Sequence, residues 1–311
     1  MARWSELGRE PAIARDRGDQ APDYAALLDS VRGIRWPARA AVRGGIPGAH
    51  ASRMRGTSAE FTEYRPYRQG DDLGRIDWKL FARSDRAYIR LSNDRAILPT
   101  TIVLDASASM AFPAGTLGKW TLAAQLAVGL AAVARNSADP VGLVIAREGK
   151  SLQLPPRARQ GVIHEMIRAI ADTPPGGSEP VSPALTAAVR SSGRVVLVTD
   201  FLGDADDLLT TASRAVVGAR EVHAVHVIAQ EEMDPPHETI LVTDPEAPDV
   251  RRPLTGDARD VYLTSFAAWR EGISHDWSDA GIAYTIAVAG AEATDHLIRR
   301  ITAPRVVAAS A

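Results

Sequence analysis

The chain contains no cysteine. That excludes a disulfide framework, a thiolate metal centre and a cysteine nucleophile. Lysine is scarce as well: Lys79, Lys119 and Lys150 are the only three among 36 basic residues, the rest being arginine. With the heavy use of alanine, this reads first as coding bias. No long hydrophobic run is present. The longest apolar stretch, residues 121–134, is interrupted by Gln125 and falls short of the ~20 residues that a membrane helix needs. Residues 1–29 carry charges throughout and lack the apolar segment of a signal peptide, so the expectation is a cytoplasmic protein with no membrane span.

What remains is a globular composition, 45% hydrophobic and 24% charged, which excludes a wholly disordered chain. The net charge of -2 conceals a segregation. Residues 32–95 hold 14 basic and 7 acidic side chains, a balance of +7, whereas residues 96–311 hold 18 and 25, a balance of -7. The break near residue 97 gives a three-part organisation: an N-terminal helical segment over 1–38, an extended, β-rich segment over 39–98, and an α/β domain over 99–311.

Asp23 is a candidate N-cap for a helix with Leu27, Leu28, Val31 and Ile34 at helical spacing. Residues 59–92 read as extended, with a turn at Gly70-Asp71-Asp72 and a short strand from Ala87. The aromatics Phe61, Tyr64, Tyr67, Trp78 and Phe81 in that stretch look like buried positions. After Pro99 apolar strands alternate with helices to the end of the chain. That order predicts a mainly parallel sheet with helices on both faces, a Rossmann-type α/β fold.

Ligands of such sheets bind beyond the carboxyl ends of the strands. The first strand of the domain runs into Asp105-Ala-Ser107-Ala-Ser109, and the strand from Arg194 runs into Asp200. Residues two apart in an extended loop face the same way, so Asp105, Ser107 and Ser109 can offer three oxygens to one point. Hard oxygen donors of this kind suit Mg²⁺ or Mn²⁺.

Asp-x-Ser-x-Ser after a first apolar strand resembles the metal-ion-dependent adhesion site of von Willebrand factor A domains. That resemblance implies a hydroxyl ligand from a later loop, for which Ser178 stands where the site usually has threonine, and an aspartate after a central strand, which Asp200 matches. The run from Glu60 to Arg83, dense in alternating Arg and Asp, resembles the signature of the domain-of-unknown-function 58 family, which precedes a von Willebrand A-like domain. The family resemblance implies a non-enzymatic, metal-dependent protein-binding module, an adaptor for a MoxR-type AAA+ ATPase in complex assembly. An acidic side chain of a client protein would complete the metal's coordination. Taken by themselves, the mixed charges of the signature read as salt bridges and capped turns that dock this segment onto the domain.

Two other functions compete with this one. Nucleic-acid binding through residues 32–95 fits the +7 balance, but interleaved acids and the want of an aromatic platform argue against it. A Mg²⁺-dependent hydrolase needs a second aspartate two places after the first for acid–base work, and Ser107 stands there. Gly149-Lys150-Ser151 lacks the earlier glycine of a phosphate loop, because Val144 occupies its place. His223 and His226, three apart in a strand, should face opposite sides as core residues.

Overall fold

The computed structural model describes residues 22–38, 47–51, 61–68, 71, 76–92, 95–147, 149, 151–238, 240–243 and 251–304. The charged stretch 1–21, Lys150, and the signature positions 60, 69, 70 and 72–75, with most of the expected turn at Gly70, lie outside the described residues. Helix α1 (Tyr24–Ser30) starts where Asp23 accepts hydrogen bonds from the N–H groups of Ala25 and Ala26. Then come β1 (Pro47–Ala51), β2 (Phe61–Pro66), α2 (Trp78–Ser84), β3 (Tyr88–Ser92) and β4 (Arg95–Ala96). β1 pairs with β4 and β2 with β3, both antiparallel.

The extended reading of 59–92 missed α2. Its cause is Asp77, whose carboxylate accepts from the N–H groups of Lys79 and Leu80, both at 3.0 Å, and takes the Tyr64 hydroxyl at 2.7 Å. Asp71 likewise accepts from Arg65 at 2.9 Å and from the N–H of Arg68. The signature's mixed charges therefore satisfy one another locally. Three of its aromatics are less buried than their sequence suggests: Trp78 is 59% exposed, Tyr64 40% and Phe81 37%. Tyr67 is half-buried, and the Phe61 side chain lies outside the described residues. Trp78 and Phe81 meet edge to face on α2, an aromatic surface that the sequence reading did not anticipate. Ile76 and Ile89, bridged to each other, are buried instead.

The rest of the chain alternates as expected: β5 (Thr100–Asp105), α3 (Gly118–Asn136), β6 (Val141–Ala146), β7 (Leu152–Arg157), α4 (Val162–Ala171), α5 (Ser182–Ser191), β8 (Arg194–Thr199), α6 (Ala205–Val217), β9 (Glu221–Ile228), α7 (Gln230–Met233), β10 (Ile240–Thr243), β11 (Arg251–Leu254), α8 (Gly256–Asp279), β12 (Ala283–Val288) and α9 (Thr294–Thr302). Six strands form one sheet in the order β12-β9-β8-β5-β6-β7, all parallel except the edge strand β7. This is the mainly parallel, Rossmann-type α/β fold that the alternation of strands and helices predicts. Every residue of β5, β6 and β8 is buried, as both faces of the sheet are covered. β7 alternates between half-buried and exposed positions and tolerates Pro155 and Pro156 because it is an edge. Gly142 in β6 permits that edge to close. A Cβ there would lie 2.7 Å from the Leu154 carbonyl oxygen and 2.8 Å from the Pro156 nitrogen.

One core layer sets α1, α3, α4 and α9 against Ile102, Leu104, Val196, Val198, Val225 and Val227. The opposite layer sets α5, α6 and α8 against Val103, Val195, Leu197 and Ala224. α3 is apolar almost all round because it lies between the sheet, α1, α4 and α9. No described helix is long and apolar enough to cross a membrane.

The N-terminal segment joins this core through a buried arginine. Arg194, fully buried at the start of β8, donates to Glu221 at 2.8 Å and to the Pro37 carbonyl at 3.0 Å. Its guanidinium lies 4.3 Å from the Trp36 ring centroid and 3.6 Å from the Asp139 carboxylate. Asp139 in turn accepts from the N–H of Leu98, and Ser137 accepts from the N–H of Trp36. Removing one partner of a buried ion pair typically costs about 3–5 kcal/mol, because the other charge stays buried. Arg194→Ala is expected to lose roughly that much stability in urea unfolding. A midpoint within error of wild type would show that the clasp contributes nothing.

Candidate functional site

The sheet reverses its winding between β5 and β8, so their following loops diverge and leave a crevice at the carboxyl ends. The register that pairs Leu104 with Val198 brings Asp105 beside Thr199 one step later. The Thr199 hydroxyl donates to Asp105 Oδ2 at 2.5 Å, and the Ser107 N–H donates to Oδ1 at 2.8 Å. The Ser107 and Ser109 hydroxyls are 3.0 Å apart. The loop carrying Ser178 is tied to this turn by two backbone hydrogen bonds, Ala108 N–H to the Gly177 carbonyl and Gly176 N–H to the Ala106 carbonyl, both 2.8 Å. A cleft of about 290 Å³ opens here, lined by Asp105, Ser107, Ser178, Glu179, Thr199 and Asp204 among others. Asp204 also caps α5 across the cleft, accepting from the N–H groups of Val181 and Ser182.

Asp200 is aimed differently. Its Oδ1 accepts from the N–H of Leu202 at 3.1 Å, and its Oδ2 lies 2.6 Å from the ammonium of Lys119. The same ammonium donates to Glu232 at 3.0 Å. Lys119 is fully buried and Asp200 is 3% exposed. Phe201, next along the chain, adopts a left-handed backbone (φ 60°), a conformation that non-glycine residues hold only when their surroundings enforce it. Its buried ring packs against His226 and Trp277 at about 5 Å between centroids, and that packing supplies the enforcement.

Of the five residues singled out from the sequence, Asp105, Ser107 and Ser109 form one hydrogen-bonded turn. Ser178 joins Asp105 and Ser107 on the cleft wall, and Ser109 is buried behind it. Asp200 stands close enough that its charge is felt at Asp105, but its carboxylate is occupied by Lys119. Sequence reasoning missed Thr199, Lys119, Glu232 and Asp204. Lys119 had a signal: it is one of three lysines in a chain that otherwise uses arginine. Thr199 had one too, since it directly precedes Asp200 at the strand end. Among the described residues no trio of His, Cys, Asp or Glu side chains is arranged to hold a metal, so an ion here would rest on carboxylate and hydroxyl oxygens together. His223 and His226 are buried on opposite faces of β9, the first against Trp36 and the second against Phe201.

The electrostatics of the site pull in two directions. Burial, and then the neighbouring charge of Asp200, raise the Asp105 carboxyl to about 6, although the donors on Thr199 and Ser107 work the other way. Burial also depresses His226 to about 3. Lys119 is held above its ordinary value, because the carboxylates of Asp200 and Glu232 outweigh a burial that would by itself lower it.

These shifts have opposite consequences for stability. A raised carboxyl stabilises the fold fully below the unfolded value of about 3.9 and loses that contribution as pH rises through about 6. A depressed histidine contributes above about 6.5 and loses it as pH falls toward 3. Asp105→Asn removes the first effect alone. In chelator, it is expected to be more stable than wild type by on the order of 2 kcal/mol at pH 8 and no more stable at pH 4. Urea titrations of both proteins at the two pH values check this, and a variant less stable at pH 8 would make Asp105 a structural anchor.

The sequence matches the family described as "Protein of unknown function DUF58" over residues 63–269. An uncharacterized protein of Mycobacterium tuberculosis, Rv1480, is 28% identical over 267 residues, 83% of either chain. Among solved structures, BatB from Bacteroides thetaiotaomicron superposes with a TM-score of 0.42 and 18% identity, over 65% of this chain and 96% of that one. The VWA domain of SpRpn10 gives 0.37 and 12%, over 68% and 100%. Since the family match spans well over half of the sequence, the chain belongs to the DUF58 family.

Proposed function

We propose that this protein is a non-enzymatic binding module whose strand-end cleft takes Mg²⁺ or Mn²⁺ and, through it, an acidic side chain of a partner protein. The observation that carries the reading is the turn at Asp105: a nearly buried carboxylate beside two hydroxyls 3.0 Å apart. Two oxygens on adjacent corners of an octahedral shell with bonds of ~2.1 Å are themselves about 3.0 Å apart. The same spacing is a hydroxyl–hydroxyl hydrogen bond, which serves the turn without an ion. Asp105, Ser107 and Ser109 would be the principal donors, with Ser178 on the cleft wall and Asp200 adding negative charge. A bound divalent ion supplies a Lewis-acidic position for a carboxylate from outside. The chain's own groups do the rest: Thr199 and the Ser107 N–H fix the rotamer of Asp105, and the two backbone links at Gly176 and Gly177 bring Ser178 to the cleft.

Binding is favoured over hydrolysis because the position two after Asp105 is Ser107, which cannot serve as a general acid or base near neutral pH. The family resemblance adds the class of partner, a MoxR-type AAA+ ATPase working with a client protein.

Thermal melts of wild type and Asp105→Ala, each with millimolar Mg²⁺ or Mn²⁺ and each with chelator, test the site. A ligand that binds only the native state at 100 times its Kd adds about 2.7 kcal/mol. Wild type is therefore expected to melt several degrees higher with metal, and the variant at one temperature in both conditions. A wild-type melt indifferent to both ions, with a strongly destabilised variant, would sink the reading.

A further inference from the structure

The buried ammonium of Lys119 breaks a local rule. It sits in the first turn of α3, where the helix dipole disfavours a cation, and that turn holds no acidic residue of its own. It is fully buried, and its partners arrive from two distant segments: Asp200 after β8 at 2.6 Å and Glu232 in α7 at 3.0 Å. Glu232 is itself fixed, its other oxygen accepting from the N–H of Ala229 at 2.7 Å. Stability alone does not account for this arrangement, since an apolar residue in place of a buried charge group commonly serves stability as well or better.

We propose that Lys119 is a built-in counter-ion that sets how tightly the strand-end site holds a divalent cation. This rests on the cation site proposed above. Asp200, whose charge is felt at Asp105, is paired by Lys119, and the ammonium offsets part of the negative charge that a cation at Asp105 meets. Without the ammonium the charge of Asp200 is uncompensated: the ion is held more tightly, and the loaded site is more negative toward an acidic partner. Lys119 touches neither cleft nor partner and acts through Asp200, so it is a positioning residue with an electrostatic role.

The test is titration of the full-length chain with Mn²⁺ alone, following free Mn²⁺ by electron paramagnetic resonance. Three variants accompany wild type: Lys119→Met, Lys119→Arg and Glu232→Gln. With the charge of Asp200 no longer compensated, Lys119→Met binds about tenfold more tightly or better. Glu232→Gln, which removes one negative charge and leaves Lys119 in place, binds several-fold more weakly. Lys119→Arg, which keeps the charge, stays within about threefold of wild type. A purely structural lysine predicts the reverse for Lys119→Met, weaker binding from a loosened site. Lys119→Met no tighter than wild type overturns the proposal. Where that variant fails to fold, Glu232→Gln decides, and an unchanged affinity overturns it. Wild type that takes up no Mn²⁺ at millimolar concentration overturns the cation site itself, an outcome distinct from uptake that ignores Lys119.

Discussion

Two carboxylates from distant segments, Asp200 and Glu232, meet one buried ammonium at the strand ends, beside Asp105. Burying an ion without a partner costs several kcal/mol even after relaxation, and Lys119 offsets that cost for both. Much of the local architecture follows from delivering that ammonium. The loop after β5 folds back so that the N–H of Lys119 reaches the Phe112 carbonyl. Leu117 takes a left-handed backbone, φ 50°, to start α3 at that point. The chain accepts a strained residue and an adverse helix dipole so that the cation reaches Asp200.

The opposite end of the sheet solves a related problem with a different cation. Arg194 is as deeply buried as Lys119, but its planar guanidinium is divided among Glu221, two backbone carbonyls and the face of Trp36. Such a fork gives direction as well as charge. It fixes the segment leading from α1 against the starts of the strands, where the doubly wound fold places no ligand cleft. One pole of the sheet is thus sealed by a cation whose donors are shared out. The other holds a cation facing two carboxylates beside an open cleft. That asymmetry is why the functional reading attaches to the second pole.

The α/β architecture was legible in the sequence because buried parallel strands leave an unmistakable pattern. Val195–Val198 and Ile102–Leu104 are continuous apolar runs, and nothing but a covered sheet accommodates them. Asp105, Ser107 and Ser109 were legible for a geometric reason, since alternate residues of an extended turn share a side. Asp200 could be placed at the site but not oriented, because its orientation depends on Lys119, eighty residues away, and on a strained peptide at Phe201. Helix α2 was missed because Trp78, Leu80 and Phe81 resemble a strand when the N-cap at Asp77 is overlooked. Its exposed Trp78 shows the limit of inferring burial from aromatic character alone: Trp keeps a large apolar face wherever the backbone happens to point it.

A chain with so strong a preference for arginine has placed lysine at the position that faces Asp200 and Glu232. The other described lysine, Lys79, is exposed on α2. An arginine at 119 would bring a wide planar group that engages a carboxylate through two donors at once. Lysine is a point charge on a flexible stem. It can hold Oδ2 of Asp200 while Oδ1 stays with the backbone, and it can divide its remaining donors toward Glu232. The contacts of Lys119 therefore account for a buried cation at this position, one charge shared between carboxylates from two distant segments.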